Sequence, residues 1–239
     1  MVVIVASAGD QTARALAEAW ECADARLLTP LDLSLPGWHC RFCTPEPGMA
    51  VVDGKTVPAE TINGIVTRLP WITEGEIPHV AEQDRAYVAA EMQAFLFAWL
   101  SRLACPVLNR PTPFCLSGPA WRHEKWISVA GRLGIRVRSA RRITRPGSPP
   151  KLHSATGSDV TGGLAEVTVV AGRYGGPDSR LVEPTQQLAA AAGVRMLTAY
   201  YSNHDRDAEL AGVSLWPDIT NPAIRDAMLR CFTDESGAR

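Results

Sequence analysis

The sequence predicts a layered α/β protein, and three observations support this fold class. Residues 2–6 are a continuous apolar run that leads into a short turn and then a helical pattern, which is the beginning of a βα unit. Further short apolar runs alternate with segments of helical periodicity along the chain. The length of 239 residues, a hydrophobic fraction of 46% and 24 basic against 25 acidic side chains are typical of globular proteins with a buried core. Disordered, fibrous and highly charged chains are therefore excluded.

The first part of the chain, residues 1–108, is predicted to form one α/β domain. After the strand at 2–6, apolar residues at helical spacing indicate a helix that ends near Trp20. The turn between them has neither the GxGxxG nor the P-loop pattern, so it gives no indication of nucleotide binding. The remaining predicted elements, in order, are strands at 26–28 and 49–52, an Asp53-Gly54 hairpin turn, a strand at 65–68, a long amphipathic helix at 82–103 and a strand at 105–108.

The second part, residues 109–239, is predicted to form another domain. Ser117 is a candidate cap for a helix that carries Trp126 and ends at Gly134. A strand at 135–143 and a long loop at 145–163, rich in Pro, Gly, Ser and Thr, should follow. The later predicted elements are a strand at 166–171, a helix at 185–192 ended by Gly193, a strand at 194–200 and a last helix that Asn221 caps and Pro222 begins.

Charge is unevenly distributed between the two parts. Residues 1–120 hold 8 basic and 13 acidic side chains, a balance of −5, whereas residues 121–239 hold 16 and 12, a balance of +4. Only Glu124 opposes the basic residues between positions 122 and 151, which are Arg122, Lys125, Arg132, Arg136, Arg138, Arg141, Arg142, Arg145 and Lys151. Such a cluster attracts phosphates or acidic peptides, and a solvated basic surface is the alternative interpretation.

The sequence indicates a cytoplasmic protein. A secretory signal requires a basic segment before its apolar run, and none precedes the first apolar run here. No apolar stretch is long enough to cross a bilayer.

Six cysteines are too few for a disulfide scaffold. Cys40 and Cys43 have the spacing of metal ligands, but a single such pair does not complete a tetrahedral zinc site, so both are expected to be loop cysteines. His123 and His153 are candidate acid–base groups, although neither has an acidic neighbour in sequence to orient it.

The order of several short motifs resembles the ATP-grasp superfamily, particularly the peptide ligases of microviridin-type pathways and their glutathione-synthetase-like relatives. In chain order the matching features are a strand ending at Arg68, a long helix containing Glu91, an Asn-x-Pro turn at 109–111, a helix with Lys125 leading to a strand at 134–137, a strand at 166–173, and the segment 216–222 in place of the family's terminal acid-x-Asn motif.

The resemblance implies an α/β pre-domain, 1–108, followed by a reduced ATP-grasp-like α+β domain, 109–239. It also implies a reaction in which ATP and Mg²⁺ form an acyl phosphate that an amine captures. In that reaction Arg68 or Arg110 would bind the substrate carboxylate. The residues that would hold the nucleotide are Lys125, Lys151 and Arg173, and those that would hold the metal are Asp218 and Asn221.

Two departures from the family pattern favour a different function. Residues 139–165 are too few to build the second, adenine-covering half of a nucleotide cleft. At the metal motif, Thr220 has the spacing that would place it on one face with Asp218, whereas Asn221 is one residue further along and is explained as a helix cap. We therefore favour a non-catalytic or partner-dependent binding subunit, which recognises a peptide or a small acidic ligand. The alternative is an ATP- and Mg-dependent carboxylate–amine ligase.

The predicted partners follow from these two hypotheses. They are a peptide or small-molecule carboxylate, another enzyme, or a second copy that completes the cleft as a homodimer, while nucleic acid and membranes are not expected. Arg68 and Arg110 follow buried strands, where α/β domains bind ligands, although backbone carbonyl groups or Glu91 could bind them instead. Glu91 lies beside the apolar stripe of its helix, so partial burial with a cationic partner is expected.

Overall fold

The computed structural model describes residues 1–40, 48–138, 164–174 and 180–236. In chain order the strands and α-helices are β1 (Val2–Val5), α1 (Gln11–Ala19), β2 (Ala25–Leu28), β3 (Met49–Val52), β4 (Lys55–Pro58), β5 (Gly64–Thr67), α2 (Arg85–Arg102), β6 (Val107–Leu108), α3 (His123–Arg132), β7 (Ala165–Val170), β8 (Arg173–Tyr174), α4 (Val182–Ala192), β9 (Met196–Tyr201), β10 (Leu210–Ser214) and α5 (Pro222–Ser236). The mixed α/β class predicted from the sequence is confirmed.

The chain forms two compact units. The first contains Met1–Ala120 and Asp218–Arg239, and the second contains Trp121–Pro217. The limits of these units differ from the predicted boundary at residue 108. The predicted division into two family domains, 1–108 and 109–239, stays a prediction.

The first unit is built on a parallel sheet with the strand order β2-β1-β5-β6. Every residue of β1 and β5 is buried, because helices cover both faces of the sheet. On one face, Leu96 and Leu100 of α2 join a core with Val3, Val5 and Ile65. The β3–β4 hairpin turns at Asp53 and Gly54, as the sequence predicted.

The C-terminal helix α5 also belongs to the first unit. Phe232 is 1% exposed and makes an edge-to-face contact with Trp20, with the ring centres 6.2 Å apart. Gly64 of β5 leaves the space that the Phe232 ring fills, since a Cβ atom at this position would collide with the ring. The small residue therefore allows α5 to approach the sheet closely.

The second unit is built on an antiparallel sheet with the strand order β10-β9-β7-β8. Helices α3 and α4 contribute Trp126, Ala130 and Leu188 to a core with Val167 and Leu197 of the sheet. The β7–β8 turn has Ala171 and Gly172 at positive φ, the conformation of a tight hairpin.

In the second part, the described residues differ from the sequence analysis in two predicted elements and in two strands that were not predicted. Helix α3 begins after Arg122 rather than after Ser117, which is buried, because Pro119 disfavours helical geometry for the residue before it. Of the predicted strand at 135–143, the described residues 135–138 form one parallel bridge, between Val137 and Leu210, and the part from residue 139 stays a prediction because it lies outside the described residues. Strands β8 and β10 were not predicted, because each is short and lacks a clear alternation of apolar and polar residues.

Candidate functional site

Arg68 and Asp10 meet at the carboxyl edge of the parallel sheet in the first unit. Each follows the end of a central strand, and the Arg68 amide donates a hydrogen bond to the carbonyl of Val5 at 2.8 Å. In this sheet β2 lies on one side of β1, and β5, which comes later in the chain, lies on the other side. Such a reversal of strand order opens a ligand crevice at the carboxyl ends of the strands in α/β sheets. The prediction that Arg68 lies at a strand end in such a position is consistent with this topology.

The Arg68 guanidinium group is held by Asp10. Its Nε atom lies 2.9 Å from Asp10 Oδ2, and the two side chains are 13% and 19% exposed. Asp10 is also the N-cap of α1, where its Oδ1 atom accepts a hydrogen bond from the Ala13 amide at 2.9 Å. Arg68 is therefore bound by a carboxylate, neither by carbonyl groups alone nor by Glu91.

Two opposing effects set the pKa of the Asp10 carboxyl group. Partial burial raises the pKa, but the hydrogen bond and charge of Arg68 and the amides of Ala13 and Thr12 lower it. The lowering effects together are larger, so the pKa of Asp10 lies below its usual value. Asp10 is ionised at neutral pH and pairs with Arg68 as a carboxylate.

Ser7 and Glu76 form a second polar contact at the same edge. The Ser7 hydroxyl donates a hydrogen bond to Glu76 Oε2 at 3.0 Å, and the Ser7 carbonyl accepts one from the Asp10 amide at 3.1 Å. The β1–α1 turn is therefore tied to the segment after β5 by two side-chain contacts.

Arg110 contacts backbone carbonyl groups, which the sequence analysis gave as the alternative to ligand binding. Its guanidinium group donates to the carbonyls of Leu103 and Cys105 at 3.3 and 3.5 Å, just after the C-terminal end of α2. A cation at this position also complements the negative end of the helix dipole. Among the described residues Arg110 has no carboxylate partner.

The expectation for Glu91 is wrong. The side chain is exposed, and the described residues give it no cationic partner. It lies at an open groove of about 410 Å³ between α2 and the segment after β2, beside Trp38, Met92 and Phe95. The helix is rotated so that Leu96, Trp99 and Leu100 face the sheet, which turns Glu91 outward.

Lys125 lies in the first turn of α3 and is exposed. Its Nζ atom lies 5.3 Å from the centre of the Trp121 ring, the geometry of a cation–π contact. The rings of Trp121 and the buried Trp126 are 4.7 Å apart at an angle of 54°. Sequence reasoning missed Trp121, although the spacing of four residues to Lys125 could have indicated it.

The described part of the predicted basic cluster lies on α3 and the segment that follows it. We call these residues the basic segment: Arg122, Lys125, Arg132, Arg136 and Arg138. All five side chains are exposed. Arg136 pairs with Asp207 at 3.1 Å, whereas the other four make no ion pair with a carboxylate in the part of the chain that the structure describes.

Arg173, a predicted nucleotide ligand, is exposed on β8 beside the hairpin turn. The turn residues Ala171 and Gly172 line an open cavity of about 540 Å³ together with Gln186 and Arg195. Lys151 lies outside the described residues, as do Cys43, His153 and nearly all of the segment 139–165. Their predicted roles, and the prediction that this segment is too short to cover a nucleotide, stay predictions.

Asp218 and Asn221, the predicted metal ligands, both accept hydrogen bonds at the start of α5. Asp218 Oδ1 accepts hydrogen bonds from the Thr220 amide at 2.9 Å and the Thr220 hydroxyl at 2.6 Å. These bonds hold the pKa of Asp218 below its usual value, against a smaller opposite effect of burial. Asn221 Oδ1 accepts a hydrogen bond from the Ala223 amide at 3.0 Å, which confirms the predicted helix cap.

The assignment of Asp218 and Asn221 as metal ligands stays a prediction, and their hydrogen bonds leave only part of the donor set available to a magnesium ion. Magnesium in proteins takes an octahedral shell of oxygen atoms, with one or two carboxylates free to bind it. Here the Asn221 oxygen and one Asp218 oxygen are already engaged. The described residues also contain no group of three His, Cys, Asp or Glu side chains that could hold a metal.

The remaining candidates have ordinary surroundings. Cys40 is half-buried, and burial raises the pKa of its thiol despite the nearby charge of Arg102, so the thiol is protonated at neutral pH. His123 is half-buried at the first position of α3.

None of the helices in the described residues combines the length and apolar character needed to span a bilayer.

Comparison with known proteins gives a consistent answer at the level of fold. No protein-family model and no curated protein matches the sequence. The fold, however, is similar to that of the macrocyclase MdnC from Microcystis aeruginosa MRC, solved with the precursor peptide MdnA, with a TM-score of 0.62 at 11% identity over 98% of this chain and 99% of that one. A RiPP-associated ATP-grasp ligase from Chryseobacterium gregarium, solved with ADP and a leader and core peptide, gives a TM-score of 0.64 at 9% identity over 98% and 96%.

A third similar structure is the ATP-grasp ligase PsnB, solved with a minimal precursor, Mg and ADP. The TM-score is 0.61 at 12% identity, and the match covers 97% of this chain and 98% of that one. Since the identities are low, these matches establish the fold alone. The chain therefore has the fold of RiPP-associated ATP-grasp ligases, which confirms the resemblance predicted from its sequence.

Proposed function

We propose that this chain is a binding subunit that recognises an acidic peptide through the basic segment of its second unit. The observation that supports this most directly is the exposure of Arg122, Lys125, Arg132 and Arg138 without carboxylate partners in the described residues. Guanidinium and ammonium groups that are not neutralised within the protein bind carboxylates of a partner by charge-assisted hydrogen bonds.

A peptide is the preferred ligand class for two reasons. Lys125 and Arg132 are seven residues apart on one helix, so they lie on the same face about 10 Å apart along the axis. This separation suits carboxylates spaced along an extended chain better than a single small acid. Proteins of the same fold, MdnC and PsnB, have also been solved with precursor peptides.

The alternative function is an ATP- and Mg-dependent carboxylate–amine ligase that acts through an acyl phosphate. The match to PsnB with Mg and ADP, over nearly the full length of both chains, favours it. Lys125, Lys151 and Arg173 would then contact the nucleotide, and Arg68 or Arg110 the substrate carboxylate. The weakest part of this alternative is the metal pair, because one Asp218 oxygen, Oδ1, and the Asn221 side-chain oxygen already accept hydrogen bonds in the turn before α5.

Binding of a fluorescent peptide of eight glutamates tests the proposed function. We expect Lys125→Met and Arg132→Gln each to weaken binding about three- to tenfold, the size typical of a partly exposed charge pair. Lys55→Met is the matched control, because Lys55 is exposed in the β3–β4 hairpin, and it should leave the affinity unchanged. Equal losses in all three variants would reject the basic segment as the binding surface.

Addition of millimolar Mg-ATP separates the two functions. A ligand that binds only the folded state stabilises it by roughly 2.7 kcal/mol at a hundredfold excess over its Kd. We expect no change in the melting temperature of the wild type. A rise that Lys125→Met abolishes, together with ADP formation in the presence of peptide, would instead establish the ligase.

A further inference from the structure

We propose that Trp121 is a positioning residue for the Lys125 ammonium group, which it holds beside the start of α3 for the acidic ligand. The inference rests on the proposed function, since it concerns the same basic segment. It adds a residue that is uncharged and lies outside the helix.

The position of Lys125 explains why such a partner is needed. A lysine in the first turn of a helix is repelled by the positive end of the helix dipole, and its long side chain has many rotamers in water. The face of the Trp121 ring, 5.3 Å from Nζ, provides an attraction that favours one position of the ammonium group. Among the described members of the basic segment, Lys125 is the one with an aromatic ring contact.

Trp121 is itself fixed by the hydrophobic core. Its ring contacts that of Trp126, with the centres 4.7 Å apart, and Trp126 is 5% exposed in the core of the second unit. Trp121 is half-buried against the same core. The core therefore orients Trp121, and Trp121 orients Lys125.

Pre-positioning should raise the affinity for an acidic ligand. Part of the free energy of binding is spent on ordering flexible side chains, and lysine has one of the most flexible. When the ring already restricts the ammonium group, less conformational entropy is lost as the carboxylate binds. The contact leaves the charge in place, because an exposed ammonium group over a ring stays available to a second partner.

The contact itself can be measured by NMR on the free, full-length protein. The ring current of Trp121 should move the Lys125 Hε resonances upfield, and Trp121→Leu should remove this shift while Trp121→Phe keeps part of it. Lys125 resonances at their ordinary positions in the wild type would overturn the inference, whatever the protein binds.

Binding of the eight-glutamate peptide tests the consequence. Trp121→Leu should weaken binding about threefold, the effect expected of an exposed cation–π contact, and Trp121→Phe should weaken it less. In a Lys125→Met background, Trp121→Leu should have no further effect. An equal loss in both backgrounds would show that Trp121 does not act through Lys125 and would overturn the inference.

Two controls keep the outcomes distinct. The melting temperature of each variant shows whether the variant is folded. If Trp121→Leu is unstable, the binding measurement is made with Trp121→Phe instead. Trp71→Leu, at an exposed tryptophan of the first unit, should not change the affinity. If the wild type does not bind the peptide, the proposed function is wrong, and the ring-current measurement then decides by itself whether Trp121 positions Lys125.

Discussion

At the residue scale, Asp10 combines a local role with a long-range one. Its Oδ1 atom caps α1 three residues further along the chain, and its Oδ2 atom binds Arg68, which is 58 residues away. One carboxylate therefore connects the start of α1 with the end of β5. Both oxygens must be retained to preserve this connection.

We expect Asp10→Ala to lower the free energy of unfolding by about 1–2 kcal/mol at neutral pH, because it removes a helix cap and the partner of Arg68. Asp10→Asn should cost less, since the amide oxygen still caps α1. Chemical denaturation of the three proteins measures both values. A negligible effect of Asp10→Ala would contradict the assigned roles.

The contribution of the Asp10–Arg68 pair to the free energy of unfolding should decrease at low pH. Because the pKa of Asp10 is lowered in the folded protein, its charge stabilises the fold above the unfolded pKa of about 3.9. That contribution is lost as the pH falls through the folded pKa. The stability difference between wild type and Asp10→Asn should therefore be constant near neutral pH and shrink below about pH 4.

Tyr201 gives a second residue-scale prediction. Its side chain is fully buried, and its hydroxyl lies 3.0 Å from Thr185 Oγ1, which also donates to the Leu181 carbonyl at 2.7 Å. Burial raises the pKa of Tyr201 although the bond to Thr185 lowers it, so the phenol is neutral at physiological pH.

Tyr201→Phe should cost about 1 kcal/mol, because Thr185 keeps its bond to the carbonyl. Thr185→Val should cost more, about 1–3 kcal/mol, because the Tyr201 hydroxyl is then buried without a partner. Thermal unfolding of both variants checks this order. The reverse order would mean that the hydroxyl of Thr185 is not essential to the pair.

At the element scale, one aromatic side chain holds α5 against the first sheet. Phe232 contacts Trp20 after α1 and occupies the space above Gly64 of β5. The last helix is thus packed beside strands that begin the chain. This contact explains why the first unit contains both ends of the sequence.

Phe232→Ala should therefore destabilise the protein by about 3–5 kcal/mol, the usual cost of a large cavity in a core. Gly64→Ala should also be destabilising, because the added methyl group displaces the Phe232 ring. Phe114→Ala is the control, since Phe114 is 84% exposed, and should have little effect. Loss of stability in the control alone would refute the packing of α5.

At the scale of the whole molecule, the net charge is close to zero while the local charge is not. The formal net charge is −1, so the protein as a whole has no strong attraction for an anion. Affinity for an acidic peptide must then come from a local concentration of cations. The basic segment is the described region with this property.

Salt should therefore weaken peptide binding much more than folding. Between about 50 and 250 mM NaCl, we expect the Kd of the eight-glutamate peptide to rise severalfold, because exposed charges are screened. The melting temperature should change little over the same range. A salt-independent Kd would indicate that apolar contacts, rather than the basic segment, bind the peptide.

The sequence by itself determined the elements that depend on local patterns. The strand–turn–helix at the N-terminus, the Asp53-Gly54 hairpin, Gly193 at the end of α4 and the Asn221 cap are all confirmed. Hydrophobic periodicity and turn chemistry act over a few residues, so they can be recognised without the fold. The order of these elements along nearly the whole chain also carried the resemblance to the ATP-grasp fold.

Only the tertiary structure decided which side chains meet. The pairing of Arg68 with Asp10, the carbonyl contacts of Arg110, the outward rotation of Glu91 and the place of α5 in the first unit depend on residues far apart in sequence. Partners at such distances are selected by strand order and helix packing, for which a local pattern contains no information. The sequence therefore indicates which residues are able to bind a ligand, whereas the fold determines which of them remain available.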